Sequence, residues 1–326
     1  MLPRFHHLTG LWTSYHLSRL LKRNFIWGLP VAMSIEPTTY CNLRCPQCPS
    51  GLRSFTRPTG SISLETYINF LEKIKSHVAF LTLYFQGEPF LNPHFIQMVK
   101  EARDRNMYVM TSTNGHFLSE ATAREVVLSG LNRIIFSIDG ITQETYEKYR
   151  VGGDLSKALQ NLKLLSTVRE SLGRKNPIIV FQFIVFKHNE HELGKAREIA
   201  YQHGADIFVI KSAQIYDENK EPYLPENTRY SRYVKQPDGT FQLKGKLLNK
   251  CWRLWHNPVV TWDGRWLPCC FDKDGKYVMG NLLEQEPEEI WNSPKYKQFR
   301  EVVLTDRRQI DICRNCSEGL RVTFFD

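Results

Sequence analysis

Six short, apolar, β-rich runs recur along the first two thirds of the chain: Met33 to Thr39, Phe80 to Phe85, Met107 to Thr113, Arg133 to Ile138, Ile178 to Phe186 and Asp206 to Lys211. Amphipathic stretches with readable ends lie between them. Ser63 caps LETYINFLEKIKSH, Asn92 precedes Pro93 at a first turn, Ser119 opens a helix closed by Gly130, Asp154 opens one closed by Gly173, and a further helix from about Glu190 stops at Gly204. Strand followed by helix, repeated, predicts an α/β fold. Its parallel sheet would have right-handed helical crossovers and curl toward a full or partial barrel. Loops that follow the strands then share one rim, where ligands of such sheets bind.

The alternation stops near residue 215. From about Gln214 to Leu248 the chain is polar and rich in Tyr, Pro and Gly, as a linker or substrate-side loop would be. Five of the eight cysteines follow it. We therefore expect a helical N-terminal segment over 1–30, a barrel over 31–215, the linker or substrate-side loop over 216–248, and a small metal-stapled domain over 249–326. A chain of 326 residues accommodates two unequal domains. With 42% hydrophobic and 24% charged residues, it lacks the polar bias of a disordered protein. Its formal charge of +9 suits an anionic partner or a solvated basic surface.

The segment LWTSYHLSRLLKRNFIWGLP has no uninterrupted apolar run of about 18 residues and no small-residue cleavage site, so it is neither a spanning helix nor a secretory signal. A cytoplasmic location is expected. Leu17, Leu20, Leu21 and Phe25 fall near helical spacing, with Arg19, Lys22 and Arg23 between them. Such a stripe is expected to pack on its own domain, with peripheral contact to a membrane as the alternative.

In a reducing cytoplasm, clustered cysteines are metal ligands or redox groups rather than disulfides. Cys41, Cys45 and Cys48 form C-x3-C-x2-C just past the first strand, with no fourth cysteine or histidine nearby. Structural zinc takes four protein ligands and fits poorly. Three thiolates on a cubane cluster leave one iron open, which is a catalytic feature.

This spacing resembles the radical S-adenosylmethionine (SAM) superfamily, which has its cluster motif directly after the first strand of a partial (β/α)6 barrel. The resemblance implies that Cys41, Cys45 and Cys48 hold a 4Fe-4S cluster whose fourth iron is chelated by the amino and carboxylate groups of SAM. One electron would cleave SAM to methionine and a deoxyadenosyl radical that abstracts hydrogen from an unactivated carbon. Gln47 departs from the aromatic residue many members carry before the third cysteine. Gln86-Gly87-Glu88-Pro89 looks like the GGEP motif with its first glycine replaced, and is otherwise a plain turn. By this likeness Gly87 allows close backbone approach, Glu88 accepts from the SAM ammonium, Asn114 lies on the rim, and Ser137 and Arg150 contact the SAM carboxylate.

The later cysteines also fit a pattern. Cys251, twelve residues, Gly264, four residues, Cys269 is similar to the opening of the SPASM domain of many radical SAM enzymes, and Cys313-x2-Cys316 supplies two further ligands. The resemblance implies one auxiliary 4Fe-4S cluster on Cys251, Cys269, Cys313 and Cys316, with zinc as the rival for that site. Cys270 is left over as a buried small residue, a substitute ligand or a hydrogen donor.

The implied reaction is dehydrogenation or another oxidation, with the auxiliary cluster accepting the second electron. Candidate proton acceptors are Asp139, Lys211, Tyr216 and Asp217. About 30 residues precede the first strand, too few for a fused leader-peptide-binding domain. That favours a small molecule, carbohydrate or lipid-linked substrate over a ribosomal peptide, whose maturation is the alternative. A flavodoxin- or ferredoxin-like donor would supply electrons. A non-catalytic iron-sulfur or zinc protein binding nucleic acid is the rival from another class, and the weaker expectation, as is electron transfer alone.

Overall fold

The computed structural model describes residues 2–216 and 219–318. Each β-rich run yields a strand: β1 Ala32–Ile35, β2 Phe80–Thr82, β3 Tyr108–Thr113, β4 Arg133–Ser137, β5 Ile178–Val185 and β6 Ile207–Ser212. They pair in parallel in chain order, with Leu81 opposite Val109, Ile134 opposite Ile179 and Phe181 opposite Phe208. One face packs under the crossover helices, while alternate residues of the other, among them Met110, Ser112, Gln182 and Lys211, are half-buried and face an open interior.

The crossover helices begin where their caps predict. Ser63 accepts from Thr66 N, Ser119 from Thr122 N and Asp154 from Lys157 N, each at 3.0–3.1 Å. The exception is the helix after β2. Pro89–Leu91 forms one 3-10 turn, and Asn92 Oδ1 accepts from His94 N, so the α-helix starts at Phe95 rather than at Pro93. A short helix over Gln143–Tyr149, closed on itself by Thr142 and Thr145, aims Arg150 back at the rim.

The region after residue 248 extends the same sheet. Val259–Val260 pairs parallel with β1 on its outer edge, followed by the antiparallel strands Arg265–Leu267 and Gly280–Asn281. Its Trp255, Trp266, Trp291 and Tyr296 join the apolar core shared with β1 and the crossover helices. Arg300 is buried among them, its guanidinium 4.1 Å from the Trp291 ring and 3.9 Å from that of Tyr296. Within 216–248, the described residues include an antiparallel hairpin, Tyr233–Lys235 with Phe241–Leu243. It is anchored by the Tyr233 hydroxyl, which accepts from Ile215 N at 3.0 Å and donates to Asn315 Oδ1 at 2.7 Å.

The N-terminal segment is a helix, α1, over Leu2–Leu21. Its packed side differs from the leucine stripe expected. Leu11, Ser14, Tyr15 and Ser18 are buried, Tyr15 lying 5.2 Å and 5.3 Å from the Trp252 and Trp255 rings. Leu17 and Phe25 are half-buried, while Leu20 and Leu21 face outward. Small serines allow the close approach that the bulkier leucines on the other side do not.

Candidate active site

The loop after β1 carries Cys41, Cys45 and Cys48 and is fixed from several sides. Leu43 and Cys45 sink into an apolar cluster with Tyr149, Phe186 and Ile215. The short turn of helix Pro49–Leu52 folds back so closely that a Cβ on Gly51 would lie 2.5 Å from Cys45 N, nearer than any side chain tolerates. Gln47 Oε1, in place of an aromatic ring, accepts from Tyr216 N at 2.8 Å and ties the loop to the far wall. Polar groups surround the sulfurs: Asn114 Nδ2 and Arg150 Nη1 stand as donors 4.0 Å from Cys41 Sγ and Cys45 Sγ, and Cys48 Sγ donates to Gln86 Oε1 at 3.8 Å.

The turn after β2 places Gly87 at φ +74°, where a Cβ would overlap the Thr38 carbonyl oxygen. Gly87 N donates to Ser50 Oγ at 2.9 Å, and Glu88 N to Tyr40 O at 2.8 Å, so this turn and the cysteine loop form one rim. The Glu88 carboxylate is 2% exposed and accepts from Thr113 Oγ1 and Asn114 N, both at 2.8 Å. Burial nevertheless pushes its pKa up to about 7, because these donors only partly replace water. Ser137 Oγ lies 3.2 Å from Ser112 Oγ. Arg150 is clamped by Asp139, whose Oδ2 is 2.6 Å from both Nε and Nη2 of the guanidinium, while Oδ1 accepts from Ile184 N at 2.6 Å.

These side chains open into one cavity of about 660 Å³, a size suited to a cofactor and a small substrate together. Cys41, Cys45, Cys48, Gly87, Glu88, Asn114, Ser137, Arg150 and Lys211 all line it. Asp139 does not: it is fully buried behind Arg150. Tyr216 lines a neighbouring cavity of about 460 Å³, its ring 4.2 Å from Lys273 Nζ. Asp217 falls outside the described residues. The cavity also gathers residues that sequence reasoning missed, namely Arg232, Arg253 and Lys273. Arg253 stands two residues past Cys251 and Lys273 three past Cys270, but nothing in such spacing marks a side chain as cavity-lining.

Cys270 faces the cavity, whereas Cys251, Cys269, Cys313 and Cys316 are buried behind it. Burial pushes the thiol pKa values up to about 12 at Cys41 and Cys251 and about 11 at Cys45, so the thiolates need cationic iron to stay ionised. Arg307 is fully buried beside Cys316, Cys251 and Cys313; its Nη1 donates to Lys250 O at 2.9 Å, and its guanidinium also hydrogen-bonds the Cys313 thiol. A guanidinium buried beside three of the four thiols fits an anionic cluster. Among the described residues, no three Cys, His, Asp or Glu side chains converge on a single-ion site. A four-iron cube takes one thiolate per corner, so four thiols complete it.

The sequence pattern of the radical SAM superfamily matches residues 35–198, and that of SPASM, an iron-sulfur cluster-binding domain, matches residues 251–317. A tungsten-containing aldehyde ferredoxin oxidoreductase cofactor-modifying protein from Pyrococcus furiosus is 24% identical over 87% of this chain and 86% of its own. An S-adenosyl-L-methionine-dependent 2-deoxy-scyllo-inosamine dehydrogenase from Niallia circulans is 23% identical over 87% of this chain and 92% of its own. Among solved structures, native anSMEcpe with bound AdoMet and Cp18Cys peptide superposes with a TM-score of 0.63 at 16% identity, covering 91% of this chain and 92% of that one. Both halves of the molecule therefore work with iron and sulfur, the first with a 4Fe-4S cluster and SAM, and the chain belongs to the radical SAM superfamily as an enzyme with a C-terminal SPASM domain.

Proposed function

We propose that the protein is a radical SAM oxidoreductase that oxidises a small molecule, carbohydrate or lipid-linked substrate bearing an anionic group. Cys41, Cys45 and Cys48 hold the SAM-binding cluster, and Cys251, Cys269, Cys313 and Cys316 hold one auxiliary 4Fe-4S cluster. When bound, these groups supply a hydrogen-abstracting deoxyadenosyl radical on one side and an electron acceptor on the other. The observation that carries the reading is the single cavity bordered by the first three cysteines and, across it, by Cys270 beside Cys269. A substrate carbon seated there lies between the two centres.

Glu88 and Arg150 orient the amino and carboxylate ends of SAM, and Ser137 adds a hydroxyl. The opposite wall is cationic. The Lys211 side chain makes no hydrogen bond or ion pair among the described residues, and that of Lys273 makes no ion pair there. Burial lowers the Lys273 pKa. An anionic substrate group relieves that desolvation. Lys211 is the candidate proton acceptor that reaches this space, whereas Asp139 positions Arg150.

Anaerobic reconstitution followed by dithionite and SAM tests the class: deoxyadenosine is expected. The triple variant Cys41→Ala/Cys45→Ala/Cys48→Ala should lose one cluster's iron and all SAM cleavage while keeping the auxiliary cluster's absorbance. Cleavage that survives in this variant refutes the ligand assignment. Deuterium transfer into deoxyadenosine from a labelled anionic small molecule is the expected result. Transfer from a peptide would support the alternative, a maturase.

A further inference from the structure

Residues 1–35 contain Arg4, Arg19, Lys22 and Arg23 and no aspartate or glutamate; the first acidic residue is Glu36. Arg4 is engaged, donating to the Lys75 and Arg105 carbonyls at 2.8 Å. Arg19 lies over the Tyr15 ring at 5.4 Å, and neither Arg19, Lys22 nor Arg23 makes an ion pair among the described residues. The same segment concentrates exposed apolar side chains. Of the fifteen large hydrophobic residues exposed among those described, five fall between positions 8 and 27: Leu8, Trp12 at 58%, Leu20 at 79%, Leu21 and Trp27.

The arrangement is one-sided. At about 100° per residue, Leu8, Trp12 and Leu20 fall within about a third of the helix circumference, together with His16 and Arg19. Leu11, Ser14, Tyr15 and Ser18 occupy the other side and pack on the core. Leu21, Lys22 and Arg23 close the end. The helix is therefore held by one face and presents the other, apolar and basic, to its surroundings. It is not long and apolar enough to cross a membrane.

We propose that this outward face of α1 docks on an anionic lipid surface, lying in its plane with Trp12 and Leu20 in the headgroup and acyl boundary and Arg19, Lys22 and Arg23 among the phosphates. Charge complementarity selects this occupant. Basic residues that make no ion pair among those described, beside an exposed tryptophan, match a negatively charged interface, whereas a protein surface of mixed charge would repel them in part. The inference is independent of the reaction proposed above and stands whether or not the substrate is lipid-linked.

The test uses the full chain and vesicles of phosphatidylcholine, alone or mixed with phosphatidylglycerol, in a sedimentation assay. Wild-type protein is expected to sediment with the anionic vesicles, weakly or not at all with phosphatidylcholine alone, and less at high salt. Trp12→Ser/Leu20→Ser should weaken binding about tenfold or more, roughly 1.4 kcal/mol. Lys22→Gln/Arg23→Gln should remove much of the salt-sensitive part. These side chains point outward, so unchanged circular dichroism and melting serve as the folding control. Wild-type protein that stays in solution with anionic vesicles overturns the proposal. So does a folded Trp12→Ser/Leu20→Ser variant that binds as well as wild type, or one whose change appears in self-association rather than in lipid binding.

Discussion

If Glu88 meets the amino group of SAM as proposed, its charge changes when SAM arrives. Burial holds its carboxyl near pH 7 instead of about 4.5, so at pH 6 most of it is protonated. An amino group that ligates iron through its lone pair and donates its N–H to Glu88 favours the carboxylate, and binding must then expel the Glu88 proton. SAM should bind more tightly at pH 8 than at pH 6, by up to about tenfold for each pH unit below 7. Calorimetric titration of the oxidised, reconstituted protein measures this. Glu88→Gln should weaken binding and flatten the part of the pH dependence that belongs to Glu88. For folding the sign is opposite to that of a surface carboxylate. Because the folded value is raised, the contribution is most favourable below about pH 4.5 and is lost as pH rises through 7. Asp139 separates two roles in the same way. If it positions Arg150, Asp139→Asn should raise the KM for SAM about tenfold, because a neutral amide no longer holds the guanidinium. If it were the proton acceptor, SAM cleavage would be unchanged while product formation fell.

At the scale of elements, the cysteine loop depends on the tight turn of helix behind it. Gly51→Ala places a methyl against Cys45 N and O, at 2.5 and 2.7 Å, where only backbone can give way. We expect iron in the first cluster to fall by half or more, measured by iron content and by absorbance of a Cys269→Ala/Cys313→Ala background that isolates it. Much at this scale was legible in the sequence. The six strands follow from apolar runs, and the caps at Ser63, Ser119 and Asp154 from the hydrogen bonds such side chains make locally. The rim residues Gly87, Glu88 and Asn114 were reachable because each sits just past a strand-forming run, and Arg150, at the end of the helix Gln143–Tyr149, through the family resemblance alone. Three features were not. The packed side of α1 uses Ser14 and Ser18 between Leu11 and Tyr15, so the most apolar stripe is the wrong guide. The helix after Thr142 is short and polar. Lys273 and Arg253 enter the cavity through long-range packing that leaves no local periodicity.

For the whole molecule, the decisive arrangement is the way the C-terminal region joins the barrel, for it brings Cys270, next to Cys269, to the first cavity. The pairing of Val259 and Val260 with β1 spans more than two hundred residues and involves only two of them on one side, too little to read from sequence. A buried ion pair reinforces it. Arg57 Nη1 and Nη2 donate to the Glu36 carboxylate at 2.9 and 2.6 Å, Trp262 N reaches the same carboxylate at 3.4 Å, and Arg57 Nε donates to Lys273 O at 3.2 Å. Both side chains are almost wholly inaccessible. Removing one partner strands the other, so Arg57→Met should destabilise the protein by about 3 to 5 kcal/mol, lowering Tm by roughly 5 to 15 °C. Burial already raises the Glu36 pKa, with Arg57 opposing that rise. Without Arg57 the acid escapes charge by binding a proton, which is easy at low pH and costly at high pH. The loss of Tm should therefore grow from pH 5.5 to pH 8. Glu36→Gln in the same chain should remove that pH dependence and restore part of the lost stability, since an amide has no charge to strand. A deficit that is the same at both pH values, and unchanged by the second substitution, would mean that Arg57 acts by packing alone and that the ion pair does not join the two regions.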